Sequence, residues 1–199
     1  MDERSEAFKK EIKRKAFHFL SLLYTLAYFI FGRSIALKIL IPVLAFEGLI
    51  EIARFSFPEL NQKLIQAFGE IHREEETRKI TGIFWTLLGS IVTFWLYRER
   101  LVVFTAMGYL IFSDVASALI GVRFGRHRTI AGRSLEGSLA FFAVSLIVGL
   151  FFLPPLIALE GTVFVSVVEL LPLPGNDNFW VPVLSGFFLS LLMGRPIII

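Results

Sequence analysis

The stretch LVVFTAMGYLIFSDVASALIG, Leu101–Gly121, decides how the rest of the chain is read. It runs for 21 residues and carries one charge, Asp114. A helix rises about 1.5 Å per residue and bilayer hydrocarbon is about 30 Å thick, so a run of this kind predicts a crossing helix. Similar runs lie on both sides of it, at Ala16–Phe31, Ile35–Ala53, Ile80–Tyr97, Leu135–Leu153, Pro155–Leu171 and Phe179–Met193. The expected fold is therefore all-α, a polytopic transmembrane helix bundle of about seven spans. Six is the alternative. The Pro155–Leu171 run is short and holds Glu160 and Glu169, and the last run contains Pro182 and is soon followed by Arg195. Either would then be re-entrant or interfacial. The first run reads as a span and not as a cleavable leader, because no small-x-small site follows it and further spans do.

The composition agrees. Hydrophobic residues make up 55% of the 199, charged residues 19%, and mean hydropathy is +0.70. A soluble domain averages about 45–50% apolar and about 25% charged, which sets this chain apart. The 22 Phe and long Leu/Ile/Val runs exclude disorder. No cysteine is present, which excludes disulfides and thiolate metal sites. The net charge of +3 does not argue for nucleic acid, which is not an expected partner. In a membrane chain Lys and Arg first set orientation.

Counted by segment, residues 1–15, 54–79 and 122–134 hold fifteen of the cations, while the intervening turns hold four. The positive-inside rule places those three segments, with the N-terminus, in the cytoplasm. A multi-pass cell-membrane protein with its active site facing the cytoplasm is expected. A transporter would need polar groups toward both faces and, commonly, an internal repeat, and no repeat is visible. The chain reads as a single integral-membrane domain, residues 1–199.

Five polar stretches hold the candidate chemistry. Glu11, Arg14, Lys15 and His18 share a helix face leading into the first run. They read either as an interfacial anchor or as a cationic patch for phosphates. Residues 70–82 pair Glu74 with Arg78 and Glu75 with Lys79 at i,i+4, with Arg73 a further phosphate candidate. This stretch leads into a stripe of Gly82, Thr86 and Ser90, which reads as a helix-packing edge. Asp114 lies inside a span, where a lone carboxylate costs about 2.5–3.5 kcal/mol on insertion scales, so it is a functional candidate by default. Ser113, Ser117, Gly121 and Gly125 recur every four residues, a bare edge open to another helix or to a phosphate.

Next come Arg126, Arg128, Arg133, Ser134 and Glu136 around the start of a new helix, a site able to receive an anion. It is no P-loop, since six residues separate Gly125 from Gly132. Glu136 suits the helix dipole or, near phosphates, Mg²⁺. The fifth stretch runs from Glu169 to Pro182. There Asp177 or Asn178 reads as a helix cap, and Asn176, Asp177 and Asn178 offer oxygens to a sugar or metal. Glu47 and Glu51 lie one turn apart within a span, with Arg54 in reach as a partner.

Together these residues resemble the CTP-dependent lipid kinases (dolichol kinase, phytol kinase, the fungal CTP-dependent diacylglycerol kinase), which are distantly similar to the CDP-diacylglycerol synthases. The resemblance rests on Lys13-Arg14-Lys15-x-x-His18 and on Asp114-x-x-Ala-x-x-x-Gly121-x-x-x-Gly125. It continues in Gly132-Arg133-Ser134-x-Glu136-Gly137-Ser138, and in Glu169 followed by Asp177-Asn178 and Pro182. It implies transfer of the γ-phosphate of CTP to an isoprenoid alcohol such as phytol or polyprenol, or to diacylglycerol, assisted by Mg²⁺. Asp114, Glu136 and Arg133 are the implied catalytic residues. Arg14, Lys15, His18, Arg73, Gly121, Gly125, Arg126, Arg128, Ser134, Asp177 and Asn178 would hold nucleotide and phosphate. Asp114, Glu136 and Glu169 would hold the metal. Arg133 departs from the family, which usually has Lys there; it keeps the charge but is no proton donor, which suits it to clamping phosphate. The competing expectations are a phosphatidate cytidylyltransferase, a small transporter carrying Glu47, Glu51 and Asp114 as intramembrane carboxylates, and a non-catalytic scaffold.

Overall fold

A computed structural model describes residues 3–68, 79–129 and 133–197. Among these, every regular element is helical, and the isolated backbone bridges join Tyr97 to Ile197 and Arg128 to Ser134. The helices are α1 (Glu3–His18), α2 (Leu20–Phe31), α3 (Arg33–Ser56), α4 (Pro58–Phe68), α5 (Gly82–Leu96), α6 (Arg100–Gly108), α7 (Asp114–Phe124), α8 (Leu135–Phe152), α9 (Pro155–Leu170) and α10 (Asp177–Leu192). A π-helical turn, Tyr109–Ser113, joins α6 to α7. The all-α expectation holds, and each apolar run of the sequence falls on a helix or helix pair.

Among the described residues, two helices are long and apolar enough to cross a membrane, the continuous Arg100–Phe124 of 25 residues and Leu135–Phe152 of 18. The first run differs from expectation. It breaks at Phe19 into basic α1 and apolar α2, with the Ser21 hydroxyl donating to the His18 carbonyl at 2.5 Å across the break. The 12 residues of α2 span about 18 Å, short of a bilayer's hydrocarbon thickness. The preceding helix, Glu3–His18, is strongly charged. α3 is longer, 24 residues, but carries Lys38, Glu47 and Glu51.

Polarity is distributed as in a protein dissolved in lipid. Leu23, Ile30, Phe46, Leu49, Ile147 and Phe151 point outward, Phe151 being 81% exposed, while Ser90, Thr93, Thr105, Ser113, Ser145, Thr162 and Ser185 are fully buried. Water would reverse that arrangement; a bilayer favours it, since small hydroxyls let helices approach while apolar chains face lipid. This is a membrane protein. Several of the buried hydroxyls are satisfied within their own helix, and Ser145 donates to Ser113 across two helices at 2.9 Å. Thr86, Ser90, Thr93 and Thr105 each donate to the carbonyl four residues back, at 2.7–2.8 Å.

Packing centres on α8, which lies against α7 and α9, and on α10, which lies against α5 and α9; α1 packs on α7, and α3 on α2 and α5. The α7–α8 contact explains the bare edge of Ser117, Gly121 and Gly125. A Cβ on Gly137 would come 2.8 Å from the Ser117 carbonyl, and one on Gly121 would come 2.9 Å from the Ser134 hydroxyl. Helix α8 fills that edge.

Candidate active site

Two charged centres flank the first turn of α7. In the first, α1 brings Lys15 and His18 against Asp114, the first residue after the π turn. The Lys15 amine donates to Asp114 Oδ2, their side chains being 6% and 12% exposed. His18 Nε2 lies 3.6 Å from the same oxygen and donates to the Leu110 carbonyl at 3.0 Å. A π turn frees carbonyls from the regular ladder and commonly marks functional sites; here it gives His18 its acceptor and aims Asp114 at α1. Arg14 Nε donates to Glu11 Oε2 at 3.0 Å. The face formed by Glu11, Arg14, Lys15 and His18 is therefore realised. A carboxylate so enclosed is stable only when paired, and it is paired.

In the second centre, Arg133 reaches from the loop before α8 to two carboxylates. One Nη donates to Glu169 Oε1, the other to Asp177 Oδ2 at 2.6 Å. Burial opposes the guanidinium charge, but Asp177 and Glu169 outweigh it and hold the Arg133 pKa above its ordinary value. Glu169, whose side chain is 2% exposed, also accepts from Ser117 at 3.3 Å and Ser138 at 3.5 Å. Ser117 sits one turn beyond Asp114 on α7, so it links the two centres.

Glu136 is engaged elsewhere. Its carboxylate accepts from the backbone N–H of Arg126 at 3.1 Å and of His127 at 3.4 Å, and meets His127 Nδ1 at 2.9 Å. It ties down the loop that carries exposed Arg126 and Arg128. Ser134 caps α8, accepting from the Gly137 N–H at 3.1 Å. The cap of α10 is Asn176, which accepts from the Asn178 N–H at 2.9 Å, and not Asp177 or Asn178 as the sequence suggested; Asp177 lies in the first turn instead. Asn178 donates to the Gly82 carbonyl at 3.4 Å. Among the described residues, no three His, Asp or Glu gather as a metal cage; Asp114 faces Lys15, Glu136 faces His127 and Glu169 faces Arg133. Arg73, Arg78 and Gly132 lie outside the described residues.

Sequence reading missed the cavity beside the first centre. It measures about 520 Å³ and lies among α1, α2, α3 and α5. Arg14, Lys15, His18, Thr81, Gly82 and Asn178 line one end; Leu20, Leu23, Tyr24, Ala27, Ile39, Leu40, Val43, Ile83, Thr86 and Leu87 line the rest. Leu20, Leu23, Ile39, Val43 and Ile83 are at the same time exposed on the outer surface, so the apolar wall is open sideways to lipid. The stripe of Gly82 and Thr86 was the available signal, since it borders this space. A polar clasp holds the rim. Arg54 Nε and Nη2 donate to Glu51 Oε2 at 2.9 and 2.5 Å, the Thr81 N–H donates to Glu51 Oε1 at 3.2 Å, and the Thr81 hydroxyl donates to Glu47 Oε1 at 3.2 Å. Glu47 and Glu51 thus serve to anchor the start of α5.

Comparison with known proteins follows the same lines. CTP-dependent diacylglycerol kinase 1 of Saccharomyces cerevisiae is 26% identical, over 92% of this chain and 73% of its own length. The protein of the same name from Eremothecium gossypii is 27% identical, over 93% of this chain and 68% of its own. Along more than nine-tenths of its length the chain is similar to these two CTP-dependent diacylglycerol kinases. An uncharacterized protein of Rickettsia prowazekii is also 27% identical, over 74% of this chain and 72% of that protein. No family model and no solved structure matches.

Proposed function

We propose that this chain is a CTP-dependent lipid kinase that transfers the γ-phosphate of CTP to the hydroxyl of a membrane lipid, at the cytoplasmic boundary of a bundle of about seven crossing helices. The observation that carries the reading is the Lys15–Asp114 centre standing at the polar end of an apolar cavity open to lipid. The nucleotide preference comes from the homologues, which are named as CTP-dependent diacylglycerol kinases. The gathering of cations on three segments supports a cytosolic face for the phosphate-holding residues.

The chemistry is mainly positioning and charge neutralisation. The lipid hydroxyl sits at the cavity mouth and its proton passes to Asp114. The alcohol oxygen forms a bond to the γ-phosphorus, the bond from that phosphorus to the β–γ bridging oxygen breaks, and CDP leaves. Lys15 holds Asp114 in the resting state and moves to the phosphates as they arrive, with Arg14, His18 and Arg133. Asp177 and Asn178 meet the ribose or base, and Glu136 keeps the Arg126–Arg128 loop in place for the nucleotide. The carboxylates and hydroxyls here suit Mg²⁺, which takes hard oxygen donors and usually one or two protein carboxylates. Asp114 or Glu169 would hold it. When bound it would neutralise charge on the transferring phosphoryl group.

CTP labelled in the α- or the γ-phosphate, supplied to membranes with diacylglycerol, phytol or polyprenol and, separately, with phosphatidate, tests the reading. Label entering lipid from the γ position alone is the expected result. Entry from the α position would make the chain a cytidylyltransferase, and no entry from either would return it to a transporter or scaffold.

A further inference from the structure

The cavity has two unlike ends. Lys15 stands at one and Ala27 at the other, twelve residues further along α1 and α2. At about 1.5 Å per residue, and with the break at Phe19 between them, that path is at most about 18 Å, on the scale of one leaflet of a bilayer whose hydrocarbon is about 30 Å thick. At the far end the space is stopped by an aromatic group. The Tyr24 hydroxyl lies 3.1 Å from Ser90 Oγ. Ser90 gives its own proton to the Thr86 carbonyl at 2.7 Å, so the phenol is the donor to Ser90. Behind it, Phe94 meets the Tyr24 ring edge-on at 6.3 Å and the Tyr28 ring at 4.6 Å. Phe94 and Ser90 are fully buried and do not border the cavity. The Tyr24 ring is therefore held at both its tip and its edge, across the gap between α2 and α5.

We infer that Tyr24 is the stop against which the acceptor's hydrocarbon tail ends, so that this chain selects lipid alcohols whose tail reaches no deeper than about one leaflet. The polar mouth fixes the hydroxyl end beside Asp114. The tail enters through the open side between α2 and α3, and its far end meets the Tyr24 ring. The fate of the hydroxyl rests on the kinase reading above; the place of the tail does not. A pocket wall of this kind discriminates by about 10-fold or more per misfitting methylene, so one side chain suffices to set a length limit.

The test uses the full chain purified in detergent, with the prenyl alcohols geraniol, farnesol, geranylgeraniol and a long polyprenol as probes. Two quantities are read for each: the rise in melting temperature on binding, and kcat/KM for CTP-dependent phosphorylation. The wild type should show a length beyond which both fall. Tyr24→Ala should move that limit to longer alcohols, raising the long-over-short ratio about tenfold. Ala27→Phe, which fills the far end without touching the Tyr24–Ser90 bond, should move it to shorter ones and carries the test if Tyr24→Ala does not fold. Tyr24→Phe keeps the ring and should keep the wild-type limit with a lower melting temperature. Identical length profiles in the wild type, Tyr24→Ala and Ala27→Phe would overturn the inference. Binding profiles that shift without any phosphorylation would uphold the stop and remove the kinase reading.

Discussion

Replacing Asp114 by Asn separates what this residue does for the fold from what it does for the reaction. Asn keeps the shape and one acceptor oxygen but loses the charge opposite Lys15, whose side chain is 6% exposed. Removing one partner of a buried pair costs about 3–5 kcal/mol. The remaining hydrogen bond to the Asn oxygen returns about 1 kcal/mol. The expected loss is thus about 2–4 kcal/mol, or about 5–15 °C in melting temperature for a protein of this size. Phosphoryl transfer should fall about 10²–10⁴-fold, the usual range for loss of a general base.

The variant Lys15→Met/Asp114→Asn removes both charges. It should regain most of the stability, since a whole buried pair is replaced with little or no net cost, and should regain no activity. Thermal unfolding of detergent-solubilised protein, followed by tryptophan fluorescence and run beside the γ-phosphate transfer assay, reads both quantities. Near-normal transfer in folded Asp114→Asn would refute the assignment. Activity that returns with stability in the double variant would reduce Asp114 to a structural counter-ion.

Arg133→Met leaves Glu169 and Asp177 facing each other and should raise the KM for CTP at least about tenfold, while Arg133→Lys keeps the charge but spans only one carboxylate and should fall between. Because the folded-state pKa of Arg133 is raised, its stabilising contribution is fully present below its ordinary value and is lost only as pH rises through the folded value. The Arg133→Met stability deficit should therefore be constant between about pH 6 and pH 9, as measured by melting temperature. Gly137→Ala puts a Cβ 2.8 Å from the Ser117 carbonyl and should cost about 1–3 kcal/mol by parting α7 from α8, with activity falling although no substrate contact is altered. Glu51→Gln loosens Arg54 and Thr81 together and should weaken binding of the lipid alcohol more than of CTP, as read by separate KM values.

Much of this architecture was legible in the sequence for a simple reason. Runs such as Leu101–Gly121 have no polar alternative to a lipid-facing or buried helix, and their ends are marked by charges or by Gly and Pro. The break at Phe19 was not legible, because Ala16–Phe31 carries no Gly or Pro to mark it, and the packing of α1 on α7 is a long-range contact. The Asp114 centre was visible as an intramembrane carboxylate, but its partners were not. Lys15 and Asp114 are ninety-nine positions apart, and local spacing holds no information about that contact. Glycine spacing had two readings, phosphate cradle and helix contact; at Gly121, Gly125 and Gly137 the atoms nearest an added Cβ belong to Ser134, Ser117 and α7's own backbone. The cavity escaped notice because its apolar walls are ordinary Leu, Ile and Val drawn from three helices, α2, α3 and α5. Asn176 displaced Asp177 as the cap because Asp177 is drawn to Arg133.

The central claim is that one lipid alcohol bridges the cavity and the Asp114 centre. Photoreactive analogues of a prenyl alcohol test it most directly, one with the reactive group beside the hydroxyl and one with it at the tail end, cross-linked in membranes and mapped by mass spectrometry. The account predicts that the hydroxyl-end probe marks Lys15–Ser21 or the start of α5, and that the tail-end probe marks Tyr24, Ala27 or Leu87. Capture of both probes on the outer faces of α8 and α9, around Ile147 and Val163, would contradict it.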